Sequence, residues 1–164
     1  MIWLVEMILM GVWATFFMDF AASLLVKKKV VRPTLEPQVV GRWALYMLKG
    51  KFVHQDIDQT PPLSHEKSAA FISHYLIGIA LAGVYLFLEL MEPAIRDQPW
   101  IALAFGVATI VLPWLWLFPS IGIGFLASKS PRQSDFLVFS SINHTNFGIG
   151  MAIWVVGFRR LLGF

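Results

Sequence analysis

The sequence predicts an all-α membrane protein: a bundle of four transmembrane helices with an interfacial amphipathic helix in the first connection. Three observations predict it. Hydrophobic residues make up 57% of the 164 positions and charged residues only 14%, about half the charged share of a soluble domain. Four apolar stretches, roughly 2–26, 68–91, 100–127 and 136–158, are each long enough to cross a bilayer as a helix, which takes about 20 residues. The basic residues lie beside these stretches, and eight of the thirteen Lys and Arg fall in segment 27–67. The chain reads as one transmembrane domain, 1–164. A mean hydropathy of +0.68 excludes a disordered chain, and so few charges cannot cover a soluble enzyme. Without cysteine there is no disulfide framework, thiolate metal site or cysteine nucleophile.

The elements follow in order. Stretch 2–26 does not read as a cleavable signal, because it is too long and its positive charges, Lys27, Lys28, Lys29 and Arg32, come after it. With the first and third connections in the cytoplasm, ten of the thirteen basic residues lie inside. The positive-inside rule then predicts a multi-pass protein with both termini periplasmic, although Arg159 and Arg160 oppose it. The pI near 9.4 therefore reflects topology, and no nucleic-acid partner is expected. Within 27–67, Val39, Val40, Trp43, Met47 and Leu48 recur at helical spacing. They predict an amphipathic helix over 37–49, either on the cytoplasmic interface or packed on the bundle ends. Gly50 suits a left-handed helix end, and 51–65 reads as a loop stiffened by Pro61-Pro62. The short connections 92–99 and 128–135 predict antiparallel neighbours. In the third span Pro113 and Pro119 precede Ser120-Ile121-Gly122-Ile123-Gly124. That pattern predicts either a partly unwound segment offering carbonyls to a ligand or a proline kink whose freed groups are satisfied by neighbours. Gly122-x-Gly124-x-x-Ala127 follows no strand and is not a dinucleotide site.

Ionisable groups inside spans are costly and tend to mark function. Asp19 lies about 12 Å from the cytoplasmic end, His74 about 10 Å, and His144 about 14 Å, with Ser120 at a similar depth, at 1.5 Å per residue. The faces agree as well. Thr15, Asp19 and Ser23 are spaced by four, as are His74, Gly78 and Ala82, and Ser140, His144, Gly148 and Ala152. Such spacing puts each set on one helix face, and small or polar residues suit helix contacts in membranes. Asp19, His74 and His144 are thus expected to meet in the bundle centre, with Thr15, Ser120 and Asn143 beside them.

This set has several possible chemistries. Two imidazoles and a carboxylate suit a divalent metal ion, a proton relay, or hydrogen-bonding glue between helices. His74 and His144 on different spans would also suit one haem b. A second, weaker cation cluster is His54, Asp56 and Glu66 in the first connection, near Asp58 and His65. No nucleophile elbow, Walker A or HExxH is present, and a triad of Ser120, His74 and Asp19 would lack an oxyanion hole, so catalysis is disfavoured. The expected activity is cation or proton binding in the core, serving transport or ion homeostasis. The alternatives are a non-catalytic accessory subunit or a small membrane cytochrome. The expected partners are the lipid bilayer and either a second copy or a membrane complex, because four short spans are few for a transporter.

Taken together, Gly11-x-x-Ala14-Thr15-x-x-x-Asp19, Gly41-Arg42-Trp43, His54, His74-Tyr75-x-Ile77-Gly78, Pro119-x-x-Gly122-x-Gly124 and Asn143-His144-Thr145-x-Phe147-Gly148 resemble the small bacterial inner-membrane proteins grouped as domain of unknown function 2938. The resemblance runs over nearly the whole chain. It implies four membrane helices in a bacterial inner membrane and carries no activity or catalytic residues.

Overall fold

The computed structural model describes residues 2–164. Helix α1 is Ile2–Lys27, α2 is Pro37–Leu48, α3 is Glu66–Met91 and α4 is Pro99–Ala108. After a turn the chain continues through a π-helical turn, Pro113–Leu117, into the short α5, Phe118–Ser120. Helix α6 is Gln133–Ile153, and a second π turn, Trp154–Phe158, leads into α7, Arg159–Leu162. No strand occurs among the described residues. Three helical stretches are long and apolar enough to cross a membrane: Ile2–Lys27, Glu66–Met91 and Pro99–Ser120.

The burial pattern matches an apolar surround. Phe16, Phe20, Phe71, Leu76 and Phe87 point outward and are more than half exposed, while Glu6, Thr15, Thr109, Ser140 and Arg159 are buried. In lipid, outward apolar side chains are at no disadvantage, and inward polar groups find partners.

Helix α1 packs against α3 and α6, and α6 packs against α4. Small residues make these approaches possible. A Cβ at Gly11 would overlap the backbone of Ile79, one at Gly78 would overlap Thr15 Oγ1, and one at Gly106 would overlap the backbone of Gly148. Trp13 Nε1 adds a hydrogen bond to Gly150 O, 3.0 Å. The stripes through Gly78 and Ser140 therefore do face inward, as expected, whereas in the stripe of α1 only Thr15 does and Asp19 and Ser23 are exposed. The expected pairing of sequence neighbours holds only in part. Although joined by a short connection, α3 and α4 make no extensive contact, because the glycine face of α4 is spent on α6. A gap is left between α3 and the α4–α5 segment.

The expected helix near 37–49 is present as α2. It packs on α3, with Gly41 seated against the backbone of Glu66 and Ala70. The chain leaves it through Gly50 at φ +79°, as predicted. Arg42 locks the following loop. Its Nε and Nη2 donate to Glu66 Oε1 and Oε2 at 2.7 and 3.3 Å, and its Nη1 donates to the carbonyls of Ile57 and Thr60 at 3.0 and 3.1 Å.

The third apolar stretch stops at Ser120 rather than near 127. Gly122 and Gly124 take φ of +96° and +81°, a left-handed geometry that no helix continues. The segment is thus partly unwound, and two of its freed carbonyls are met by the loop rather than left open. The His54 N–H donates to Ser120 O at 2.7 Å, and the Ile57 N–H donates to Ile121 O at 3.1 Å. Trp43, Ile57 and Ile121 are buried together over this junction.

Gly122→Ala tests the junction. The new Cβ would overlap the backbone of Gln55 and sit at an unfavourable φ, which together cost about 1–3 kcal/mol. The expected result is faster amide hydrogen exchange at His54 and Ile57 with α1 and α3 unchanged. Unaltered exchange at both amides would show that the loop does not depend on this contact.

Candidate functional site

The gap between α3 and α4–α5 is a cavity of about 320 Å³. Helix α3 contributes His74, Ile77, Gly78 and Leu81, and the broken helix contributes Leu112, Pro113, Trp116, Leu117 and Phe118. Helices α1 and α6 close it with Thr15, Met18, Ser140, Asn143, His144 and Phe147, while Leu35, Val40 and Trp43 cover one end. Its walls are apolar and aromatic apart from one polar side.

On that side several groups are hydrogen-bonded to neighbours, and Asn143 Oδ1 is buried without a partner. Thr15 Oγ1 donates to Gly11 O at 2.8 Å. Ser140 Oγ donates to Phe136 O at 2.7 Å and accepts from Trp114 Nε1 at 2.8 Å. Thr109 Oγ1 lies 2.6 Å from Gly106 O and 2.7 Å from His144 Nδ1, so one hydroxyl joins the α4 backbone to the His144 ring. His74 Nε2 donates to Asp19 Oδ1 at 3.0 Å.

Of the residues singled out from the sequence, His74, His144, Thr15 and Asn143 line this one cavity. Asp19 reaches it only through His74. The Asp19 side chain is 47% exposed, because Thr15, four residues earlier, occupies the contact with Gly78. Ser120 is buried at the loop junction, outside the cavity lining. The weaker loop set does not converge. His54 turns to Thr60 Oγ1, 3.0 Å away, Asp56 accepts from the Asp58 N–H and from Gln59, and Glu66 is held by Arg42. Among the described residues no three His, Cys, Asp or Glu side chains are grouped so as to hold a metal ion.

The model of the family described as "Protein of unknown function (DUF2938)" matches residues 8–158. The chain belongs to this family. No curated protein and no solved structure matches it. The family resemblance rests on motif residues that do identifiable work in this member. Gly11, Thr15 and Gly78 set the α1–α3 approach, Gly41 and Arg42 seat the loop, Gly122 turns the chain, and His74, Asn143 and His144 line the cavity.

Away from the cavity lies a buried ionic cluster that the sequence reading did not identify. Arg159, 2% exposed, donates through Nε to Glu6 Oε1 at 2.6 Å. Its Nη1 and Nη2 donate to the two oxygens of Glu89, both at 2.9 Å, and Nη1 also donates to Arg96 O at 2.5 Å. Trp154 Nε1 donates to Glu6 Oε1 at 3.3 Å. The signal was available as two glutamates inside apolar stretches with Arg159 and Arg160 following the last one. Helices α1, α3 and α7 are tied together here.

Replacing Arg159 with Met would leave two buried carboxylates without their partner and cost about 3–5 kcal/mol in stability. Adding Glu6→Gln and Glu89→Gln to it should recover most of that loss. Thermal unfolding of the detergent-solubilised proteins reads both effects, and equal stability of the single and triple variants would contradict the pairing.

His54 supplies a pH test. Burial, assisted by the charge of Lys51, lowers its pKa below the usual 6.5. The folded protein thus favours neutral His54. The associated stability is full above pH 6.5 and falls as the pH drops from there to the folded pKa. His54→Phe should unfold with a smaller loss of thermal midpoint between pH 7 and pH 5 than the native protein, whereas identical losses would exclude His54 as the source.

Proposed function

We propose that the protein is a four-span bacterial inner-membrane protein that binds a proton or a cation at the His74–His144 side of its cavity, serving transport or ion homeostasis. Helix α6 with its π turn is the fourth span, both termini are periplasmic, and α2 lies at the cytoplasmic interface. One observation carries the reading: titratable imidazoles from α3 and α6 share a single cavity, each with one ring nitrogen already fixed by a neighbour. Asp19 places a carboxylate behind His74. A group that gains and loses a proton beside a binding space can couple the occupancy of that space to pH. The scattered carboxylates favour a proton or a hydrogen-bonded cation over a chelated metal ion.

The test is proton movement in reconstituted vesicles carrying a trapped pH-sensitive dye, with flux started by a pH step or a cation gradient. Native protein should carry flux above empty vesicles. Asp19→Asn and His144→Ala should each lower it about tenfold or more while keeping near-native thermal unfolding. Native-like flux in both variants would sink the proposal and leave the polar side of the cavity as packing alone.

A further inference from the structure

Helix α1 ends in a turn that sets two cations beside α6. The Lys29 N–H donates to Val26 O and the Val30 N–H to Leu25 O, both at 2.9 Å. Lys29 itself takes φ +58°, a left-handed position usually filled by glycine or asparagine. Val31 then turns inward and is buried, while Lys29 and Arg32 stay exposed. Arg132 fastens this turn to the start of α6, because its Nη2 donates to Pro33 O at 3.2 Å. Between the turn and the first two turns of α6 lies a cleft of about 220 Å³. Lys29, Arg32, Ser134 and Asp135 form its polar side, and Val30 and Val138 adjoin them.

The charge of this cleft is unbalanced. Asp135 Oδ2 accepts from Arg132 Nε at 2.9 Å and is already matched. Lys29 and Arg32 take part in none of the ion pairs formed among the described residues. We infer that the cleft binds the phosphate of an anionic phospholipid. Basic pockets between helix ends at a membrane surface suit such headgroups, and ten of the thirteen Lys and Arg lie in the two connections at this end, 27–67 and 128–135. The order of the lining fits a lipid rather than free phosphate. Ser134 lies in the first turn of α6 and Val138 one turn further along, and Val30 and Val138 are more than half exposed. A phosphate and the hydrocarbon next to it thus find places side by side. The cleft is too small to enclose a lipid, so the acyl chains would run on over the outer faces of the helices. An anionic headgroup is favoured over a zwitterionic one, because a choline or ethanolamine cation would meet Lys29 and Arg32.

The experiment titrates the full-length protein in non-ionic detergent with phosphatidylglycerol, phosphatidylcholine or inorganic phosphate and reads the thermal midpoint. Phosphatidylglycerol should stabilise the native protein at a mole fraction about tenfold lower than phosphatidylcholine does, and inorganic phosphate should have no effect. Lys29→Gly combined with Arg32→Gln should bring the phosphatidylglycerol response down to that of phosphatidylcholine. Glycine suits the left-handed turn, so the midpoint in detergent alone should not fall. Lys27→Gln with Lys28→Gln removes the same charge outside the cleft and should leave the response native. Should the cleft pair fail to fold, Ser134→Glu places a repelling charge in the cleft at a helix start that favours acidic residues, and it should weaken the response several-fold. Equal responses to the two lipids, equal stabilisation by inorganic phosphate, or an equal loss in the Lys27 and Lys28 pair would each overturn the inference.

Discussion

The carbonyl oxygens of Ser120 and Ile121 lose their helical partners where the α4–α5 segment breaks, and much of the architecture follows from where those oxygens find new ones. In an apolar surround an unpaired backbone group costs several kcal/mol, so the break can exist only if some other part of the chain supplies N–H groups. His54 and Ile57 supply them. To reach that point the loop must cross the end of the helices, and Arg42 holds it there through the carbonyls of Ile57 and Thr60. The same guanidinium is anchored on Glu66, at the start of α3. The break, the loop, α2 and the head of α3 thus form one connected unit, and Trp43, which covers the cavity, is part of it.

Threonine hydroxyls hold two of the histidine rings. In the cavity, Thr109 Oγ1 lies between Gly106 O and His144 Nδ1. The arrangement repeats in the loop, where Thr60 Oγ1 lies 3.0 Å from Asp56 O and 3.0 Å from His54 Nδ1. His54 Nε2 is buried without a partner, at a position where added charge is unwelcome. His144 differs in lining open space.

The sequence made some of this legible and not the rest, for physical reasons. The helical spacing of Thr15, Gly78, Gly148 and Ser140 disclosed the inward faces, because small and polar residues have few other uses inside apolar helices. The same spacing brought His74, His144, Asn143 and Thr15 to one cavity. Asp19 was assigned to the centre because it shares a face with Thr15, yet one further turn of α1 leaves it exposed and touching α3 through His74. Helix periodicity reports direction and depth, not where a neighbouring helix ends its contact. The loop docking was not readable, since backbone N–H groups carry no sequence signature. The Arg159 cluster was missed for a different reason. Arg159 was counted as a flanking charge in the topology argument, while Glu6, Glu89 and Arg159 are joined only when α1, α3 and α7 converge.

The two ends of the molecule therefore differ in how firmly they are closed. At the end holding both termini, one guanidinium engages two carboxylates and a carbonyl, and all three side chains are buried. Separating α1 from α3 there would strand charges in an apolar surround, a penalty far above thermal energy. At the other end the cover consists of Trp43 and its neighbours; Arg42 and Glu66 fasten α2 to α3, and the cover meets the α4–α5 side through two backbone hydrogen bonds and a small apolar cluster. These contacts carry no net charge across the junction and are individually worth about a kcal/mol. The gap between α3 and α4 also lacks the glycine-to-backbone contacts that fasten α1 to α3 and α4 to α6. Any motion that admits a ligand to the cavity is accordingly cheapest at the loop-covered end.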